Sequence, residues 1–238
     1  MSAQGLLIVA TKCNQPLREA EWEAWYDDVH LPDLLDGWPA GEGPTVVTRW
    51  ALSRKPEPGM PGLGFSHVAI YELPADPVAV AQALAGRQAQ LRADGRVHPT
   101  HAVVDVGLFV AHGRWNDKPE PSPDLRGHIL AHVFANDPDL EPEWDAWYDA
   151  EHIPDMMASD AFAAATRWQR EPRRPYGPNH VTLYDVALDS IDDAVARSAA
   201  VMPGLIAAGR KHRAHTGALT LTLVPAGRHG GAGYRPAR

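Results

Sequence analysis

The 238-residue chain reads as an α+β protein made of two β-α-β-β-α-β repeats in tandem. Three observations carry that reading. First, Glu21-Trp-Glu-Ala-Trp-Tyr-Asp-Asp-Val-His-Leu-Pro-Asp33 returns 122 residues later as Glu143-Trp-Asp-Ala-Trp-Tyr-Asp-Ala-Glu-His-Ile-Pro-Asp155. Trp, Tyr, His and Pro are rare enough that chance does not produce such a pair. Second, the likeness continues in order. Thr48-Arg49-Trp50 matches Thr166-Arg167-Trp168, His67-Val-Ala-Ile-Tyr-Glu72 matches His180-Val-Thr-Leu-Tyr-Asp185, and Gly95-Arg-Val-His98 with His101 matches Gly209-Arg-Lys-His212 with His215. The offset slides from 122 to 118, 113 and 114, as loops of unequal length between fixed elements require. Third, each half shows the same succession of strand-like and helix-like periodicities. A period above 100 residues is too long for a solenoid, so two fused copies are expected.

The elements follow in order. Leu6 to Thr11 is a short run of strand formers. From Glu19 to about Leu35, Trp22, Trp25, Tyr26 and Val29 recur at helical spacing. Thr45 to Leu52 and His67 to Leu73 read as strands around a Pro/Gly-rich loop from Lys55 to Gly64. Asp76-Pro77 caps and opens a helix that runs to about Asp94. Val103 to Val110 closes the half as a strand. The second half repeats this, with strands near Ile129 to Ala135, Ala163 to Gln169, Val181 to Val186 and Leu219 to Val224. Its helices run near Pro142 to Met157 and Ile191 to Arg210. The expected boundaries are 1–114 and 127–238. Between them, 115–126 forms an extended linker carrying Pro119, Pro121 and Pro123.

A β-α-β-β-α-β order is the ferredoxin-like split unit. Its helices cover one face of the sheet and leave the other face in need of a partner, which a tandem copy supplies. The fold expected is therefore two ferredoxin-like repeats packed sheet to sheet as a barrel within one chain.

Composition narrows the function. A net charge of -8 argues against nucleic acid, because a phosphate-tracking surface needs a basic excess. One cysteine, Cys13, allows no internal disulfide and no CxxC metal site. The residues Met1 to Gly5 lack the basic region of a signal peptide, and no segment reaches the roughly 18 apolar residues of a membrane span. A soluble cytoplasmic protein is expected.

The Trp144-x-x-Trp147-Tyr148-x-x-Glu151-His152-Ile153-Pro154-Asp155 run, the Thr-Arg-Trp strand and the element order resemble the dimeric α/β-barrel superfamily. Within it the chain is most similar to proteins of the EthD type, named from ether degradation. The resemblance covers most of both halves, and only the helix motif is specific. It implies the barrel fold and a range of activities: cofactor-free monooxygenases, muconolactone-type isomerases, polyketide cyclases and dehydratases, and some haem enzymes.

Among candidate site residues, His30 and His152 stand four residues after Tyr26 and Tyr148, on one helical face. Leu31-Pro32 and Ile153-Pro154 follow them, so the helix is expected to end or kink there. A histidine at a helix end can sit exposed at a cavity mouth with a pKa near working pH, as proton shuttling needs. Asp27 and Asp28, or Asp149 and Glu151, could orient the ring. The structural alternative is a helix cap. If one half alone is active, the second is favoured, for it alone pairs Glu151 with His152. It also adds His128 and His132 on one strand face, where the first half has Leu6 and Ala10.

His67 with Tyr71, and His180 with Tyr184, share strand faces. Arg49 and Arg167 could hold a carboxylate or an oxyanion, or instead stack on tryptophan. Trp147 and its neighbours could line an apolar pocket or simply form core. The spacing of His98/His101 and His212/His215 is weak for a metal. Neither a phosphate-binding glycine loop nor a GxSxG elbow occurs.

The leading expectation is a cofactor-free lyase or isomerase acting on an apolar, aromatic or polyketide-like substrate. His152 or His30 would move the proton, and Tyr148 or Arg167 would hold the oxyanion. The alternatives are a cofactor-free or haem-dependent monooxygenase and a non-catalytic ligand-binding barrel. No cofactor is expected on the leading reading, with haem or a metal ion as the other option. The expected partner is a small-molecule substrate, without nucleic acid or membrane, and a homodimer is the further option.

Overall fold

The computed structural model describes residues 3–54, 63–74, 76–115, 125–231 and 233–236. The expected linker, apart from its ends, and most of the Pro/Gly-rich loop lie outside these residues. The chain divides into two units. Unit 1 comprises 1–110 with 225–238, and unit 2 comprises 111–224. The final segment thus belongs with the first unit, whereas the sequence pattern assigns it to the second half.

In unit 1, strand β1 (Gly5–Cys13) pairs with β3 (His67–Leu73) and β4 (His101–Ala111), and β3 pairs with β2 (Val46–Leu52), all antiparallel. The order β4-β1-β3-β2 is ferredoxin-like. Unit 2 repeats it: β5 (Gly127–Ala135) lies between β7 (His180–Val186) and β8 (His215–Pro225), with β6 (Ala164–Arg170) beside β7. Strands β4 and β8 begin two and four residues earlier than their sequence pattern suggests, which brings His101 and His215 into the sheets.

One helix layer covers one face of each sheet. In unit 1, Leu7, Val47 and Tyr71 meet Trp22, Leu34 and Leu84. In unit 2, Ile129, Ala165 and Tyr184 meet Trp144, Met156 and Ala194. Trp22, Trp50, Trp144 and Trp168 are among the largest fully buried side chains. Each contributes on the order of the 1.5–3 kcal/mol typical of a buried large apolar side chain. The second helix of unit 1, α3 (Pro77–Ala93), begins as expected, the Asp76 carboxylate accepting from Ala79 N–H at 3.1 Å. Its counterpart in unit 2 is α6 (Ile191–Ala207), capped by Ser190.

The duplicated helix differs from its sequence reading. It does not end at the histidine. Helix α1 (Glu19–Trp25) passes into a π-helical turn, Tyr26–His30, and continues as α2 (Leu31–Leu35). In unit 2 the same course is α4 (Glu141–Trp147), a π turn over Tyr148–His152, and α5 (Ile153–Met157). A proline inside an α-helix loses one hydrogen bond and crowds the carbonyl four residues back. The widened turn relieves that crowding, so Pro32 and Pro154 open a second helix without stopping the first.

A short segment runs beside each Thr-Arg-Trp strand. Arg49 N–H donates to His229 O at 3.0 Å, and Ala226 N–H donates to Arg49 O at 3.0 Å. In unit 2, Arg167 N–H donates to Trp115 O at 2.8 Å, and His112 N–H donates to Arg167 O at 3.1 Å. By this pairing Ala226, Gly227 and Arg228 correspond to His112, Gly113 and Arg114. Gly227 has φ +58°, and a Cβ there would meet Arg49 Nη1 and Asp27 Oδ2, each at 2.5 Å. Gly227→Ala is therefore expected to cost about 1–3 kcal/mol. Gly86→Ala, in open space within α3, should raise stability by about 0.5–1 kcal/mol. Urea midpoints of the two variants check both signs.

Candidate functional site

The π turn rolls Tyr26, Asp27 and His30 inward together, and all three are buried. Beneath them sits Arg49, only 2% exposed. Its Nη1 donates to Asp27 Oδ1 at 2.6 Å and its Nη2 to Glu23 Oε2 at 2.5 Å. Its guanidinium carbon lies 4.1 Å from the centroid of the Tyr26 ring and 5.5 Å from that of Trp22. His67 Nε2 reaches Glu23 Oε1 at 2.8 Å. Burial pulls the Glu23 pKa up, but the His67 hydrogen bond and the charge of Arg49 hold it below the usual carboxylate range.

Unit 2 carries the same clamp with different reach. Arg167 donates to Asp145 Oδ1 at 2.5 Å and to Asp149 Oδ1 at 2.9 Å, over Tyr148 at 4.7 Å. Asp145 is one methylene shorter than Glu23. There His180 Nε2 bonds Glu141 Oε1 at 2.9 Å, while His112 Nε2 takes Asp145 Oδ1 at 2.9 Å. Arg49 and Arg167 thus each bind two carboxylates and lie against aromatic rings.

His30 was expected at a cavity mouth with a pKa near neutrality. It is instead buried at 4% exposure. Its pKa falls to about 3, through burial first and then the nearby His101 and Arg49 charges. His152 is likewise pushed down to about 3, by burial and then His215. A proton shuttle tuned near pH 7 is therefore corrected to a neutral imidazole, because taking the charged ring out of water costs more than its neighbours return.

The His30 ring packs at 4.7 Å from Tyr26, 4.8 Å from Trp25 and 5.5 Å from His101. His101 Nδ1 accepts from Trp22 Nε1 at 3.1 Å. Beside these rings lies an apolar cavity of about 230 Å³ within unit 1, lined by residues that include His30, Tyr71, Leu84, Gln88, His101 and Val106. Two polar atoms in its lining are buried with no hydrogen-bond partner, His30 Nδ1 and Gln88 Nε2. Buried polar atoms are almost always satisfied, so two in one cavity are informative.

In unit 2 the repeat offset of 114 places Met202 where unit 1 has Gln88, and Met202 packs against the core there. Tyr148 accepts from Thr182 Oγ1 at 3.0 Å. Burial first, then Tyr148, drives the Tyr184 phenol well above its usual range. Trp147 Nε1 donates to Arg210 O at 2.8 Å, its ring against His152 at 5.1 Å. His128 and His132 do not join His152. Strand alternation puts them on the sheet face opposite Ile129 and Val133, and His128 Nδ1 lies 2.9 Å from Asp185 Oδ1.

Sequence reasoning missed Gln88, His101 and His112. The repeated H-x-x-H spacing is the signal for His101, although the pattern places that residue in a loop. Gln88 and His112 left no signal, because neither is duplicated.

No family model and no curated protein matches the chain. Solved structures do match, several of them at 9–12% identity. A candidate chlorite dismutase aligns at TM-score 0.58 and 12% identity over 93% of this chain and 94% of its own. A candidate monooxygenase from Fusobacterium nucleatum aligns at TM-score 0.54 and 11% identity over 99% of both chains. A variant of Rhodococcus jostii DypB in complex with heme aligns at TM-score 0.57 and 10% identity over 95% and 94%.

The likeness shows the fold, the ferredoxin-like dimeric α+β barrel. It corrects two expectations. The neighbours are described as a dismutase, a monooxygenase and peroxidases. The cofactor-free lyase or isomerase and the expected lack of a cofactor give way to oxidative relatives, some in complex with heme or manganese. Among the described residues, no helix is long and apolar enough to cross a membrane.

The geometry sets two expected outcomes. Arg49→Met strands Asp27 and Glu23 without their cation and should cost about 3–5 kcal/mol, read from denaturant midpoints. The folded His30 binds its proton only near pH 3, while an unfolded histidine does so near 6.5. Between those values the unfolded state holds the extra proton, so stability falls as pH falls. The loss attributable to His30 is about 1.4 kcal/mol per pH unit below 6.5. Urea unfolding at pH 6.5 and 4.5 should show a shallower slope in His30→Leu than in the parent chain.

Proposed function

We propose that unit 1 carries the site of a small-molecule oxidoreductase, EthD-like within the dimeric α+β barrels, acting on a hydroxylated apolar ring. The oxidative neighbours support the reaction class. The observation that carries the site is the pair of unpartnered atoms, His30 Nδ1 and Gln88 Nε2, in one apolar cavity.

The ligand class is set by donors and acceptors. Gln88 Nε2 can only donate. His30, neutral at any physiological pH, offers one acceptor nitrogen and one N–H. A hydroxyl both donates and accepts, so a phenol-like group can serve both residues at once, while leucine and valine side chains take its ring. Because His30 does not titrate near neutrality, it orients the hydroxyl and accepts its hydrogen bond rather than carrying a standing proton.

Haem meets one feature of this cavity and fails two. A neutral buried imidazole with an unpartnered nitrogen suits iron. However, the volume of about 230 Å³ is below even the roughly 300–1,000 Å³ typical of drug-sized ligands. Among the described residues, no Lys or Arg lines it to receive propionates. A porphyrin is not accommodated there, and no step is routed through one.

Binding of 2-naphthol, followed by its fluorescence, tests the reading together with oxygen uptake on 1,4-dihydroxynaphthalene. The parent chain should bind with micromolar affinity and consume oxygen above the spontaneous rate. His30→Leu and Gln88→Leu should each weaken binding about tenfold, the cost of one lost buried hydrogen bond. Equal affinity in all three proteins would overturn the site. A Soret band on hemin addition that depends on His30 would reassign the cavity to haem.

A further inference from the structure

We propose that unit 2 holds a site for a divalent first-row transition-metal ion, formed by His112, Asp145 and His180. One donor atom from each lies within 4.8 Å of the others. Two imidazoles and one carboxylate favour a transition ion over magnesium or calcium, whose ligands are almost wholly oxygen.

The surroundings support a ligand-ready histidine. The Glu141 carboxylate accepts from the Arg173 guanidinium and faces His180 Nε2, so it is the acceptor of that pair. His180 Nε2, 2.9 Å from Glu141 Oε1, therefore carries the proton. Its Nδ1 is left as a bare lone pair, buried and without a partner, on a residue 1% exposed. A metal-binding histidine generally donates its other N–H to a carboxylate in this way.

His112 packs nearby, its ring centroid 5.1 Å from that of His180 and tilted by 58°, with Nε2 at 2.9 Å from Asp145 Oδ1. An ion would displace the proton shared there, which leaves to solvent. Arg167 also holds Asp145, but Asp149 offsets its charge from the other side. A cavity of about 330 Å³ borders Glu141, Arg173, Asn179 and His180 among others, so His180 lies beside open space.

Comparison of the two copies sharpens the point. The positions of His112, Asp145 and His180 are Ala226, Glu23 and His67 in unit 1, where the single histidine bonds Glu23 directly. The third donor exists in one copy only. Its gain coincides with the release of His180 from the carboxylate that holds Arg167.

The test is titration of the chelator-treated full chain with cobalt(II) and zinc(II), read by visible absorption and calorimetry. One ion per chain is expected, with cobalt bands of mixed nitrogen and oxygen ligation. His112→Ala installs the residue that unit 1 already carries at this position. His112→Gln keeps a hydrogen bond to Asp145 but lacks the imidazole. Both should bind at least tenfold more weakly, with unchanged circular dichroism, while His67→Ala in unit 1 binds as the parent does. Absence of a bound ion in the parent chain, or affinity that survives both His112 substitutions, would overturn the site.

Discussion

A guanidinium removed from water must be met by acceptors on its edges and by something polarisable on its faces. In both units that demand organises the residues around the duplicated helix. Arg49 takes Asp27 and Glu23 at its edge, with Tyr26 and Trp22 against its faces. Arg167 does the same with Asp149, Asp145, Tyr148 and Trp144. The carboxylates stand four residues apart, so they share a helical face only while the helix continues through them. The arginine thus ties strand, helix and the adjoining π turn into one unit. Loss of either partner leaves an uncompensated buried charge, which is far costlier than the pair itself is stabilising.

The π turn is the second consequence. One extra residue in the turn rotates the helical segment beyond it, and this rotation sends His30 inward next to Tyr26. A histidine so buried cannot keep an ordinary pKa, because its charged form loses solvation that two neutral aromatic walls and a second histidine do not replace. The same turn that creates the cavity wall therefore removes the acid–base behaviour that an exposed histidine would have had. What remains is a neutral imidazole beside an apolar cavity.

The same turn occurs in both units, and small substitutions have made its surroundings different. Gln88 against Met202 decides whether the helix layer presents a donor or fills the space. Glu23 against Asp145 alters reach by one methylene and with it the partner of the strand histidine. Ala226 against His112 adds a donor group in one copy alone. Through these changes each arginine keeps two carboxylates and the same aromatic neighbours, so both copies keep the same framework while their chemistry departs.

The repeat, the element order and the ferredoxin-like units were legible in the sequence, because hydrophobic periodicity and rare duplicated residues record local structure directly. The strand His67–Leu73 and the Asp76 cap show how far such signals reach. The sequence also nominated His152 and His30 with Tyr148 and Arg167, favouring the second half. It could not say which of them faces a ligand. The rotation of a π turn, the commitment of Arg49 to two acids, and the hydrogen bond from Arg228 N–H to Asp27, 201 residues away, arise from packing between distant segments. Periodicity determines which residues lie on one face of an element. Only the tertiary structure decides what that face meets, because burial, and with it the protonation of His30 and the free nitrogen of His180, belongs to the assembled fold.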